Sequence, residues 1–166
     1  EPSPVDAVRD HPVWKRVDGH PNVARFDPLV ARSARESGLE PALVKAVIAV
    51  ESGYDPAVVS AKGAVGLMQV LPDTGERYGM AGDAKRSVAD KLKEPAINLR
   101  VGTRYLKELV ARYAGDLELA LAAYNAGEGI VDRYGGVPPY PETREFVRLV
   151  LRFRDAWRPP SAHAPA

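Results

Sequence analysis

The chain contains no cysteine, which excludes disulfide staples and thiolate metal sites and leaves its compartment open between a reducing cytosol and an oxidising exterior. Histidine is scarce. His11, His20 and His163 lie near the two ends, without a His-x-x-x-His pair or a local carboxylate cluster, so no metal is expected. No apolar run approaches the ~20 residues that a membrane span needs. The opening Glu1-Pro2-Ser3-Pro4 carries neither the basic nor the apolar stretch of an export signal, although a mature or excised chain would have lost one. A net charge of +1 with 27% charged residues gives no excess of either sign, which argues against a dedicated nucleic-acid binder that must neutralise phosphates. The local exception is Arg144, Arg148 and Arg152, spaced every fourth residue, with Arg154 and Arg158 nearby. Glu142, Glu145 and Asp155 partly balance them, so a solvated helix face is favoured over contact with an anionic polymer. Alternating strand patterns are scarce as well.

What is there reads as helix, and 166 residues suit one domain with a core large enough to need no staples. Residues 1–26, with Pro2, Pro4, Pro12 and Pro21, are expected to form an extended arm or linker, and residues 158–166 a Pro/Ala-rich tail. Between them, 27–157 form the expected domain. Asp27-Pro28 opens the first helix, closed by Gly38, and Pro41 opens the second. Pro95 opens a long third helix striped by Val101, Tyr105, Leu106, Leu109 and Tyr113. Asp116 caps the run Leu117–Ala126, apolar nearly all round and therefore the expected buried centre. Pro141 opens a last amphipathic helix that uses Phe146, Val147, Val150, Leu151 and Phe153. Asp55 to Ser60 and Val137 to Tyr140 read as loops, and no function is inferred for 81–90.

Glu51 is the residue that breaks the pattern. It shares the i, i+3, i+4, i+7 face of Val44, Val47 and Ile48, where a carboxylate is costly. Apolar neighbours destabilise its charged form. Gly53 stops the helix two residues later, placing Glu51 where the negative end of the helix dipole works in the same direction. Such a carboxyl holds its proton toward neutral pH, as a general acid must. The structural alternative is a solvated or paired helix-end glutamate.

Four segments stand out together: Glu51-Ser52-Gly53-Tyr54-Asp55-Pro56, Gly66-Leu67-Met68-Gln69, Ala123-Tyr124-Asn125-Ala126-Gly127 and Tyr140-Pro141-Glu142-Thr143-Arg144. In this order and spacing, over roughly residues 27–155, the chain resembles the catalytic domain of the soluble lytic transglycosylases. The resemblance implies an all-α, lysozyme-like single domain with a sugar-binding cleft. It implies cleavage of the β-1,4 bond between N-acetylmuramic acid and N-acetylglucosamine in peptidoglycan without water, leaving a 1,6-anhydro sugar. Glu51 matches the family's sole catalytic acid and base. Ordinary glycosidases need two carboxylates; here the muramic C6 hydroxyl is the nucleophile. Asp55 is the nearest second carboxylate, but Pro56 pushes it out of the helix and a turn role is favoured. It keeps a hydrolytic, goose-type muramidase as the alternative, beside a non-catalytic peptidoglycan-binding module of a secretion or phage apparatus.

By resemblance, Ser60, Met68 and Gln69 line the cleft, with loop capping, core filling and a surface side chain as their respective structural alternatives. Tyr124 is expected to be buried and to point toward Glu51, or to bond backbone instead. Asn125 bonds sugar or caps its helix, and Glu142 contacts substrate or its peptide stem at the rim, or simply suits a first helical turn. Phe146 stands where many relatives carry tyrosine: its ring still packs, but the hydroxyl is gone. The implied partner is the peptidoglycan glycan strand, met outside the cytoplasm, in the periplasm or beyond. The chain is expected to act as a monomer without a cofactor, and any cell-wall machinery that it serves is left unnamed.

Overall fold

The computed structural model describes residues 1–163; the last three residues of the expected tail, 164–166, lie outside the described residues. In chain order the helices are α1 (Pro12–Val17), α2 (Pro21–Ser37), α3 (Pro41–Ser52), α4 (Pro72–Arg77), α5 (Val88–Lys91), α6 (Pro95–Arg112), α7 (Leu117–Ala126), α8 (Glu128–Tyr134) and α9 (Pro141–Trp157), followed by a 3-10 turn at Pro160–His163. Extended pairing among the described residues is confined to isolated bridges joining Val59, Val65 and Val70. The fold class is all-α, as the apolar spacing predicts.

The two most apolar helices form the centre. In α3, Leu43, Val44, Val47 and Ile48 are buried, and in α7 the run Ala120–Ala123 is buried. Alanines on these faces let neighbouring helices approach closely. α3 packs against α9 and α2, and α7 against α6 and α9. Proline at the first turn starts α3, α6 and α9, where its missing N–H costs nothing. Asp116 caps α7 by accepting the Leu119 N–H at 3.1 Å.

The N-terminal segment departs from the expected arm. His11 and His20, rather than any acid, cap α1 and α2: their Nδ1 atoms accept the N–H of Val13 at 3.1 Å and of Asn22 at 3.0 Å. Pro12 and Pro21, read as marks of an extended chain, are instead first-turn helix starters. Val8, Trp14 and Val17 are buried. The Trp14 ring meets Phe153 edge-on at 5.2 Å and lies 5.2 Å from Trp157, so α1 is sewn to α9 by aromatic contacts. For the same reason the first long helix opens at Pro21, not at Pro28. Pro28 sits inside α2 on its exposed side, where water can satisfy the carbonyl it leaves unpaired. No helix among the described residues is long and apolar enough to cross a membrane.

Tyr54 belongs to the turn that ends α3 and is fully buried, with φ of 64°. Its hydroxyl is buried with no hydrogen-bond partner among the described residues, and burial pushes its acidity well below that of a free tyrosine. Tyr54→Phe is therefore expected to leave stability unchanged or raise it by about 1 kcal/mol. A urea midpoint shifted clearly downward would show that the hydroxyl has a partner in solution.

Candidate active site

Glu51 is the penultimate residue of α3. It lines a depression of about 220 Å³ with Val50, Asn125, Glu142, Glu145, Phe146 and Leu149. A second depression, of about 240 Å³, is lined by Lys62, Gln69, Val70, Leu71, Thr74, Tyr105, Tyr124, Asn125, Ala126 and Gly127. Asn125 lines both, so the two depressions adjoin there and together make the candidate groove, with the carboxyl in the first of them. A larger hollow of about 550 Å³ between α2 and α6 is lined by Glu36, Tyr78, Arg100, Arg104, Lys107 and neighbours.

Burial pushes the Glu51 carboxyl up to about 8, and the like charge of Glu142 adds to the effect. Of the two other acids in that depression, Glu145 is neutralised by a forked contact with Arg148 at 2.7–3.1 Å. Glu142 is exposed at the start of α9 and has no ion-pair partner among the described residues. Asp55 takes the turn role expected of it: its Oδ1 accepts the Ala57 N–H at 2.9 Å.

Three helices converge on the Gly66–Gln69 loop. The Ser52 hydroxyl of α3 reaches the Leu67 carbonyl at 2.8 Å and the Ile48 carbonyl at 3.0 Å. Asn98 of α6 accepts the Met68 N–H at 2.8 Å and donates to the carbonyls of Val65 and Leu92 at 2.8 and 2.9 Å. The Tyr124 hydroxyl of α7 donates to the Met68 carbonyl at 2.6 Å. The loop is thereby tied to the end of α3 and presents Gln69 with φ of 51°, a conformation uncommon outside glycine. The Gln69 amide secures that bend by donating to the carbonyls of Val58 and Gly66 at 3.2 and 3.1 Å.

The structure brings Glu51, Gln69, Tyr124, Asn125 and Glu142 to one groove. The Tyr124 hydroxyl bonds backbone, the structural alternative kept for it, and after burial the Glu51 charge helps to raise its proton affinity. Its ring is stacked on Phe146 at 6.4 Å and packed near Tyr105 at 5.5 Å. Asn125 Oδ1 accepts the Thr143 hydroxyl at 2.8 Å, which leaves the amide nitrogen as its available donor. Ser60 is exposed on the loop that carries Lys62, and its Oγ accepts the Ala64 N–H at 3.1 Å, so it caps that loop.

Met68 does not form a cleft wall. Its side chain is fully buried and lies against Gly102, where a Cβ would come within 2.6 Å of the sulfur. Glycine inside α6 makes room for it, and the groove uses only its backbone carbonyl. Ser52, Asn98, Tyr105 and Thr143 were not expected at the site. Asn98 carried a readable signal, a polar residue one turn before Val101 on the apolar stripe of α6 and 1% exposed. The others resemble ordinary helix residues.

Residues 28–147 match the family model described as Transglycosylase SLT domain, and the chain belongs to that family. It is 36% identical over 118 residues to membrane-bound lytic murein transglycosylase C of Yersinia enterocolitica, covering 66% of this chain and 33% of that protein. It is 30% identical over 147 residues to the soluble lytic murein transglycosylase of Salmonella typhimurium, covering 80% of this chain and 23% of that one. Among solved structures, the 70 kDa soluble lytic transglycosylase from Escherichia coli superposes on 90% of this chain and 25% of its own, with TM-score 0.70 and 26% identity. The chain thus spans a third or less of the length of these relatives, and its all-α fold is the lysozyme-like fold of the family.

Proposed function

We propose that the chain is a peptidoglycan lytic transglycosylase. The observation that carries this reading is one carboxyl, Glu51, kept protonated near neutral pH by burial in a depression that it lines with Val50, Phe146, Leu149, Asn125 and Glu142. Glu51 gives its proton to the glycosidic oxygen between N-acetylmuramic acid and N-acetylglucosamine as the C1–O bond breaks. The muramic C6 hydroxyl then closes onto C1 and returns its proton to Glu51. The enzyme ends as it began, and no water is consumed. Every step uses a side chain or a substrate hydroxyl.

In this reading the Asn125 amide nitrogen and the Gln69 carbonyl oxygen bond the acetamido groups, and the Ser60 hydroxyl touches sugar at the rim. Tyr124 holds the loop and bounds the reacting sugar, while Glu142 raises the proton affinity of Glu51 and meets the cationic end of a peptide stem. The substrate places the chain at work outside the cytoplasm, acting as a monomer. Names of murein enzymes among its relatives support the substrate class. Incubation with purified peptidoglycan is expected to release muropeptides one water lighter than hydrolysis products, read by mass spectrometry. Reducing-end products would replace this reading with a muramidase in which Glu142 activates water.

A further inference from the structure

We propose that Arg16 and Asn22, both outside the family-matched span of residues 28–147, are positioning residues for Glu51, holding from outside the turn that ends its helix. The inference rests on reading Glu51 as the catalytic acid.

The turn contains two successive left-handed residues, Gly53 with φ of 59° and Tyr54 with φ of 64°. For Tyr54 that conformation is costly and persists only where the surroundings enforce it. The carbonyls at a helix end also lack intrahelical partners and carry the negative end of the dipole. Two side chains from the N-terminal segment meet these needs. Arg16 Nη2 donates to the Ser52 carbonyl at 3.5 Å, and its guanidinium lies so close over Gly53 that a Cβ there would come within 2.6 Å of it. Asn22 Nδ2 donates to the Tyr54 carbonyl at 3.0 Å. The residues on either side of Gly53 are thus each gripped.

Both grips are anchored. Arg16 sits on α1 between buried Trp14 and Val17, and the Asn22 backbone is fixed by the His20 cap. Ser52, one residue beyond Glu51, is tied to the Gln69 loop through Leu67. A shift of the turn therefore moves the acid relative to the groove. Proton transfer tolerates little misplacement: about 1 Å can cost a hundred-fold in rate.

The test is steady-state kinetics on solubilised peptidoglycan with Arg16→Ala, Asn22→Ala and the double variant, alongside thermal melts and Glu51→Gln. Both side chains lie outside the core, so the single variants retain the packed interior. The double variant is expected to melt above the assay temperature and lose roughly ten-fold or more in kcat with KM within about two-fold of the parent. Each single variant should lose a smaller factor. Parental kcat in folded variants, or a raised KM with kcat preserved, would overturn the positioning role. If Glu51→Gln is inactive while the double variant is fully active, only this inference fails. If Glu51→Gln stays active, the catalytic reading itself fails.

Discussion

Replacing Glu51 by Gln is expected to remove at least about a thousand-fold of the lytic rate, since one group supplies both the acid and the base step. The amide keeps the shape of the side chain and cannot release a proton. Stability should move the other way. The folded carboxyl titrates at about 8 against 4.5 for the unconstrained group, so its folded pKa is raised. Its contribution is fully present below the unfolded value and is lost as pH rises through the folded one. Wild type and Glu51→Gln should therefore melt alike near pH 4, and the variant should be the more stable above about pH 8. The same shift sets the activity profile: the protonated acid disappears as pH rises past about 8, and lysis falls with it. A variant destabilised at alkaline pH would mean that Glu51 is ionised and paired in the fold.

Asn98→Leu carries the second large effect. The side chain is 1% exposed and meets three backbone groups, the Met68 N–H and the carbonyls of Val65 and Leu92. Leucine is close in volume but pairs with none of them, and each buried orphan costs about 1–3 kcal/mol. A loss of roughly 3–5 kcal/mol is expected after partial relaxation, read as a lower urea midpoint. Activity should fall as well, because the loop bearing Gln69 loses its tie to α6. An unchanged midpoint would mean that water replaces the amide and that the loop is held by Ser52 and Tyr124 alone.

Glu51 and Asn98 show what the sequence makes legible. Both are polar residues on apolar helical faces: at Glu51 the fold gives up stability for position, whereas the Asn98 amide satisfies three buried backbone groups and so contributes stability. Glu51 was readable because a helix stop follows it at Gly53. Asn98 is harder to read, because the stripe of α6 is complete without it. The helices beginning at Pro41, Pro95 and Pro141 were legible from proline at the first turn and from 3.6-residue spacing. α4, α5 and α8 were not, since segments of four to seven residues hold too few apolar positions to define a period.

The N-terminal segment misled for a different reason. Proline density is shared by linkers and by helix starts, and only a cap at the preceding residue separates them; here the caps are histidines, less usual in that role. Met68 fills the core, the alternative kept for it; local pattern leaves that choice open because its neighbour in space, Gly102, lies far along the chain. The groove depends on such contacts between distant segments: Thr143 on Asn125, Tyr124 on Met68, Arg16 on Ser52. A reading of local pattern can nominate the residues but not the bonds between them.

In the proposed reaction Glu51 drives cleavage with a hydroxyl of the substrate in place of water. Digestion of peptidoglycan in water enriched in heavy oxygen tests it most directly, with the released muropeptides weighed immediately. Products free of heavy oxygen, with anhydro ends throughout and no release by Glu51→Gln, are expected. Incorporation of one heavy oxygen per cleavage would contradict the proposed reaction.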